Sequence, residues 1–110
     1  MKKIGIIGGG ISGLYLANIL NNHKDFDYKI FEKKENYNFS DGYGIQLSVN
    51  SVKLLNGIGF KNLLASEVNF PSKVNFIQSN NSKKICDIDI TQFNESFNRY
   101  TTLKRSTLIK

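Results

Sequence analysis

Three glycines near the start of the chain, Gly8, Gly10 and Gly13, stand in the spacing G-x-G-x-x-G, and nineteen residues after the last of them comes an acid, Glu32. These residue types at these distances are what recognition of a dinucleotide requires. Gly8 permits a tight turn, Gly10 lets backbone approach a pyrophosphate, and Gly13 removes the Cβ that would hold a helix away from the preceding strand. The opening turn of a helix leaves amide N–H groups unpaired and carries about half a positive charge from aligned peptide dipoles. The amides of Ile11 and Ser12, with Gly8 and Gly10, are therefore placed to hold the phosphates. A carboxylate at Glu32 accepts hydrogen bonds from the adenosine ribose and repels a 2′-phosphate, which argues for FAD or NAD over NADP.

Positioning these groups takes a strand, a helix and a second strand. Lys2–Ile7 is a short apolar run, with Ile4, Ile6 and Ile7 around Gly5, and it suits a strand buried on both faces of a parallel sheet. Ile11, Leu14, Tyr15, Ala17 and Leu20 follow at mostly helical spacing, and Ala17 extends the small-residue face that Gly13 begins. Residues 28–31 form the second strand, which delivers Glu32. The fold class is α/β, a Rossmann-like FAD/NAD(P)-binding domain with a parallel βαβ core. Lys2 and Lys3 before an apolar segment imitate a secretory signal peptide, but Gly8, Gly9 and Gly10 break that segment and no small-residue cleavage site follows before Asn21 and Asn22. No other stretch is long enough to span a membrane.

Further along, Asn50 or Ser51 is a candidate N-cap for a helix running through Val52, Leu54 and Leu55, and Gly57 and Gly59 supply its stop. Residues 73–79 and 83–90 alternate apolar and polar types around Asn80-Asn81, which predicts a β-hairpin with a two-residue turn. Cys86, the one cysteine, excludes an internal disulfide and fits a reducing cytoplasm. Its alternation with apolar neighbours places it in a core or on a sheet face. His23, the one histidine, falls in a solvated loop at a helix end, and no Cys/His cluster of metal-ligand spacing exists. Fifteen basic against nine acidic residues give +6, yet the lysines lie in scattered pairs without a basic helix face or an aromatic stacking platform, which argues against a nucleic-acid partner.

The glycine motif does not separate FAD from NAD, and the following residues bear on that choice. Lys33 directly after Glu32, then Gly42-Tyr43-Gly44-Ile45-Gln46-Leu47, then Asn50 leading a helix to Gly59-Phe60, resembles the para-hydroxybenzoate hydroxylase type of FAD-dependent aromatic monooxygenase. Val49 stands where that family usually has proline, which loosens the start of the helix without altering a ligand group. Leu103-Lys104-Arg105-Ser106-Thr107-Leu108 resembles the family's R-x-x-L segment, in which an arginine opening a helix reaches the flavin. The resemblance implies FAD as cofactor and NAD(P)H as co-substrate. It also implies oxygen transfer to a small aromatic molecule, a cofactor role for Lys33, and a flavin-side role for Arg105 and the backbone of Gly44, Ile45, Gln46 and Leu47. It further implies that the hairpin, within an excursion over residues 71–98, leaves the cofactor domain toward a substrate-binding sheet.

At 110 residues the chain has the size of one domain, whereas the resembled enzymes are several times longer. The whole of 1–110 thus reads as the N-terminal part of an FAD-binding domain, inactive alone and prone to exposing unpaired apolar edges. Two other classes share part of the pattern. An NAD-dependent dehydrogenase or another two-dinucleotide flavoprotein would carry Gly8 to Glu32 but has no reason to carry the Gly42 to Asn50 segment or Arg105. A non-catalytic fragment would retain the fold signature alone.

Overall fold

In the computed structural model, residues 1–35 and 42–110 are described, and they divide into two compact units, Met1–Tyr43 with Lys104–Lys110, and Gly44–Leu103. The first unit opens with β1 (Lys2–Ile7), α1 (Ile11–Asn21) and β2 (Phe26–Phe31). β1 and β2 pair in parallel, with Ile4 opposite Tyr28 and Ile6 opposite Ile30. A parallel pair needs a crossover between its strands, and α1 is that crossover. Ile6, Ala17 and Leu20 are buried together, and Ile4, Phe26, Tyr28 and Ile30 pack on them. Alternation along both strands turns these side chains toward α1. The second strand begins two residues earlier than its predicted start at Tyr28, because Phe26 also turns its ring to this core.

The opposite face of the strand pair differs from expectation. Ile7 is 93% exposed and Phe31 53%, so β1 is covered on one face only. Among the described residues a single helical layer packs on this sheet, and the apolar run in β1 therefore outstrips what covers it. Lys29 partly shields Phe31, its Nζ lying 5.5 Å from the ring centroid. Returning to this unit, the chain ends in a short helix, α3 (Arg105–Ile109), whose Ile109 is buried.

In the second unit, β3 (Gly44–Leu47), β4 (Val68–Asn69) and β7 (Thr101–Lys104) form a sheet of order β3-β7-β4, with β4 and β7 antiparallel. Its core holds Leu103, Thr101 and Val52, the last from α2 (Val49–Asn56). The cap of α2 is Ser48, two residues before the predicted Asn50, which lies inside the helix. The hydroxyl of Ser48 donates to Asn50 Oδ1 and accepts from no helix amide. Val49 thereby occupies the first helical position, where proline is favoured because its φ is preset and no N–H is wasted. Gly57 caps the other end, and Gly59 takes the left-handed conformation, φ +99°, that turns the chain into a 3₁₀ turn at Phe60–Asn62.

β5 (Lys73–Ile77) and β6 (Lys84–Asp89) make the predicted antiparallel hairpin, with Val74 opposite Ile88 and Phe76 opposite Cys86. The connection is longer than the predicted Asn80-Asn81 turn. Ser82 N–H donates to Gln78 O at 2.9 Å and Gln78 N–H to Lys83 O at 2.8 Å, and Ser82, φ +56°, is the left-handed residue. Asn81 acts through its side chain, Oδ1 accepting from Lys83 N–H at 2.9 Å. A register shift after Phe76 takes up the odd residue. Cys86 lies on a sheet face but is exposed, because nothing in the two-stranded sheet covers that face. None of the described helices is long and apolar enough to cross a membrane.

Candidate dinucleotide site

The glycine loop leaves the end of β1 with Gly8 in a conformation, φ +101°, that only glycine adopts without strain. Its N–H donates to Phe31 O at 2.7 Å, which carries the parallel ladder one step beyond the strands. Gly10 is the N-cap of α1, and the first intrahelical bond runs from Leu14 N–H to Gly10 O at 2.9 Å. The amides of Ile11, Ser12 and Gly13 consequently have no helical acceptor. No side chain caps this end and no acid occupies the first turn, so nothing in the helix competes with an anion for those amides.

Two glycines show opposite requirements. A Cβ placed on Gly13 would sit 2.0 Å from Gly8 O and 3.3 Å from Ile6 Cγ2, whereas a Cβ on Gly10 would meet nothing within 4 Å. Gly13 is small because the protein itself fills the space. Gly10, in ordinary extended backbone, is small beside open space, and that is the arrangement a ligand approaching the backbone would use.

Glu32 follows β2 and reaches back to the loop. Its Oε2 accepts from Gly9 N–H at 2.7 Å and its Oε1 from Lys34 N–H at 3.1 Å. These two bonds, the Gly9 bond foremost, outweigh desolvation and hold the carboxyl below the ordinary carboxylate range, with the Lys33 amide and charge adding a smaller push in the same direction. Glu32 is thus ionised and fixed against the glycine loop. Lys33 itself is exposed beside it. Gly9, a residue sequence reasoning passed over, is buried and supplies the amide that orients the acid. The run of three glycines was its only sequence trace.

Arg105 opens α3, and its N–H donates to Tyr43 O at 3.1 Å. Gly42, φ +102°, lies against the Arg105 stem, where an added Cβ would come within 2.8 Å of Cδ. The first unit therefore joins the two motif ends that the sequence left sixty residues apart. Gly44, Ile45, Gln46 and Leu47 form β3 of the second unit, where Gln46 Oε1 accepts from the Tyr100 hydroxyl at 2.6 Å. That unit also holds a cleft of about 700 Å³ between the start of α2 and the foot of the hairpin, with Lys53, Ile88, Asp89, Phe93, Glu95 and Tyr100 in its walls. Asp89 is held ionised there by the Thr91 hydroxyl and N–H, at 2.7 and 2.8 Å. Among the described residues no group of three His, Cys, Asp or Glu side chains gathers into a metal site.

Comparison with known proteins points the same way as the glycine loop. The sequence profile of the NAD(P)-binding Rossmann-like domain matches residues 6–37, from β1 through the acid. The fold is Rossmann-like. A 3-amino-4-hydroxybenzoate 2-monooxygenase from Streptomyces cremeus is 36% identical over 64 residues, 58% of this chain and 16% of its own length. The tetrameric form of 2-methyl-3-hydroxypyridine-5-carboxylic acid oxygenase superposes on 99% of this chain with a TM-score of 0.78 at 21% identity, covering 27% of that chain. The chain thus spans about a sixth of the curated relative and about a quarter of the structural one.

Proposed function

We propose that this chain is the FAD-binding beginning of a flavin-dependent monooxygenase of the para-hydroxybenzoate hydroxylase type, acting on a small aromatic ring with NAD(P)H and O2. The observation that carries the reading is the Glu32–Gly9 bond. It holds an ionised acid against a glycine loop whose helix amides are uncapped and whose Gly10 borders open space. These groups fit a dinucleotide. The amides of Ile11, Ser12 and Gly13 hold the pyrophosphate, Gly8 and Gly10 let it approach, and Glu32 accepts from the ribose hydroxyls. The same carboxylate repels a 2′-phosphate, so FAD is preferred to NADP at this half-site.

The choice of flavin over nicotinamide rests on the segments beyond the half-site, Lys33, the G-x-G-I-x-L run through Gly44, Ile45, Gln46 and Leu47, and Arg105. It is supported by the ring-oxygenating names of both relatives. When bound, flavin supplies the redox and oxygen-transfer chemistry, and the protein supplies binding, orientation and electrostatics. Arg105, whose N–H donates to Tyr43 O and whose stem lies against Gly42, is the residue assigned to the flavin side. The second unit is assigned to the same cofactor domain, with residues 71–98 as an excursion from it toward the substrate domain.

The test is to express the longest reading frame that contains residues 1–110 and record its visible absorbance, then follow NAD(P)H oxidation with a panel of hydroxylated and aminated aromatic acids. Bound yellow flavin and substrate-stimulated NAD(P)H oxidation with O2 uptake are expected. A colourless protein that reduces NAD with an alcohol or hydroxy acid would refute the monooxygenase in favour of a dehydrogenase.

A further inference from the structure

The cleft of about 700 Å³ in the second unit has acids in its walls whose charges nothing in the protein offsets. We propose that Asp89 and Glu95 bind the protonated amine of an aromatic substrate and so set the charge class that this cleft accepts. The proposal rests on the monooxygenase reading for what is done to the ring, and on the cleft alone for the charge held beside it. The cations of the hairpin are drawn elsewhere. Lys73 stands opposite Asp89 in the strand register, but its Nζ lies 4.0 Å from Asp87 Oδ2, where Lys84 Nζ also sits at 2.6 Å. Asp89 receives only neutral donors, the Thr91 N–H and hydroxyl at 2.8 and 2.7 Å, and both reach the same oxygen, Oδ1. Its Oδ2 has no hydrogen-bond partner among the described residues.

Glu95 is fixed by its backbone, which exchanges hydrogen bonds with Asn98 at 3.0 and 2.6 Å, while its carboxylate enters no hydrogen bond or ion pair among the described residues. Lys53 is the one cation among the lining residues and pairs with neither acid, so the walls carry a net negative charge. The rest of the lining suits the body of such a ligand. Phe93, 69% exposed, leaves its ring open to the cleft, and the face of an aromatic ring attracts an ammonium group. The Tyr100 hydroxyl has spent its hydrogen on Gln46 Oε1 at 2.6 Å, so its oxygen can only accept a further bond. An ammonium group brings only donors to these acceptors, whereas a carboxylate brings only acceptors and meets two like charges. At about 700 Å³ the cleft is within the range of small-molecule sites, with room for a ring and its side arm.

The experiment is equilibrium dialysis of the full-length protein at neutral pH against tyramine, 4-hydroxyphenylacetate and tyrosol, a cationic, an anionic and a neutral phenol, in the wild type and in the double variant Asp89→Asn with Glu95→Gln. Tyramine is expected to bind the wild type at least tenfold more tightly than either other phenol, and to lose at least tenfold in the double variant while tyrosol binds both proteins alike. The order of the three ligands in the wild type needs no variant, so misfolding cannot produce it. An acid bound as tightly as the amine, a preference for tyramine that survives the double variant, or no tyramine binding in the millimolar range would each overturn the proposal. NAD(P)H oxidation with the same three phenols separates this outcome from that of the monooxygenase reading. A colourless protein that prefers tyramine through Asp89 and Glu95 would sink the flavin reading and leave the charge preference standing, and a yellow protein stimulated by the acid but not by the amine would do the reverse.

Discussion

Replacing Gly13 by alanine sets two known effects against each other. Alanine is worth about 1 kcal/mol over glycine inside a helix, so propensity alone favours Gly13→Ala. The new Cβ, however, would lie 2.0 Å from Gly8 O, a backbone atom in the loop and not the end of a flexible side chain, and 3.3 Å from Ile6 Cγ2. Relief requires α1 to move off β1 or the loop to change shape, and forced overpacking of this kind costs about 1–3 kcal/mol, occasionally more. Since this contact is far inside any distance real side chains tolerate, the upper end applies and the net loss is about 2 kcal/mol. For a domain of this size each 1 kcal/mol moves the thermal midpoint by about 4–8 °C. Gly10→Ala is the control, because its Cβ would touch nothing and its φ of −79° suits any residue. It is expected to unfold within about 0.5 kcal/mol of wild type while losing most of its flavin affinity. Thermal unfolding followed by circular dichroism, with flavin fluorescence quenching for binding, measures both. A Gly13→Ala protein as stable as wild type, or a Gly10→Ala protein that melts early and binds flavin normally, would refute the division of labour between the two glycines.

Other substitutions probe the remaining assignments. Glu32→Ala is expected to weaken FAD binding by about tenfold or more, since hydrogen bonds to a charged group are worth about 1.5–3 kcal/mol, and an unchanged affinity would remove Glu32 from the site. The folded-state depression of the Glu32 carboxyl stabilises the fold at pH values above the unfolded pKa of about 4.3; this stabilisation is lost as pH falls through the lower folded value, and Glu32→Gln should flatten that part of an acid-unfolding profile. Ser82→Gly should stabilise the hairpin turn by about 0.5–1 kcal/mol in urea unfolding, because φ +56° costs serine more than glycine. Thr101→Val keeps the buried volume but leaves Arg99 O without its donor, and a loss of about 1–2 kcal/mol in the same assay is expected.

Much of the first unit was legible in the sequence because its signals are local. Gly8, Gly10 and Gly13 dictate backbone conformation within one turn, and the helical spacing of Leu14, Ala17 and Leu20 fixes which face of α1 is buried. The spacing of Glu32 from Gly13 is the length of one helix and one strand, so its delivery beside the loop follows from counting residues. What the acid grips did not follow. That Glu32 meets Gly9 depends on where β2 ends relative to β1 in a parallel register.

Tertiary structure alone decided the rest, in each case because the determinant lies far away along the chain. β4 is two residues long and exists through its pairing with β7, thirty-three positions later, which no local period reveals. Gly42 and Arg105 need each other across sixty residues, the one in a left-handed conformation with no Cβ, the other laying its stem in the space so left. The Ser48 cap displaced Asn50 because the end of β3 determines where α2 begins. Apolar alternation in β5 and β6 correctly gave strands, yet alternation records which side chains share a face and not whether anything covers it. Cys86, Phe76 and Ile88 are therefore exposed, for burial is a property of neighbours, and a strand's own sequence contains none of them.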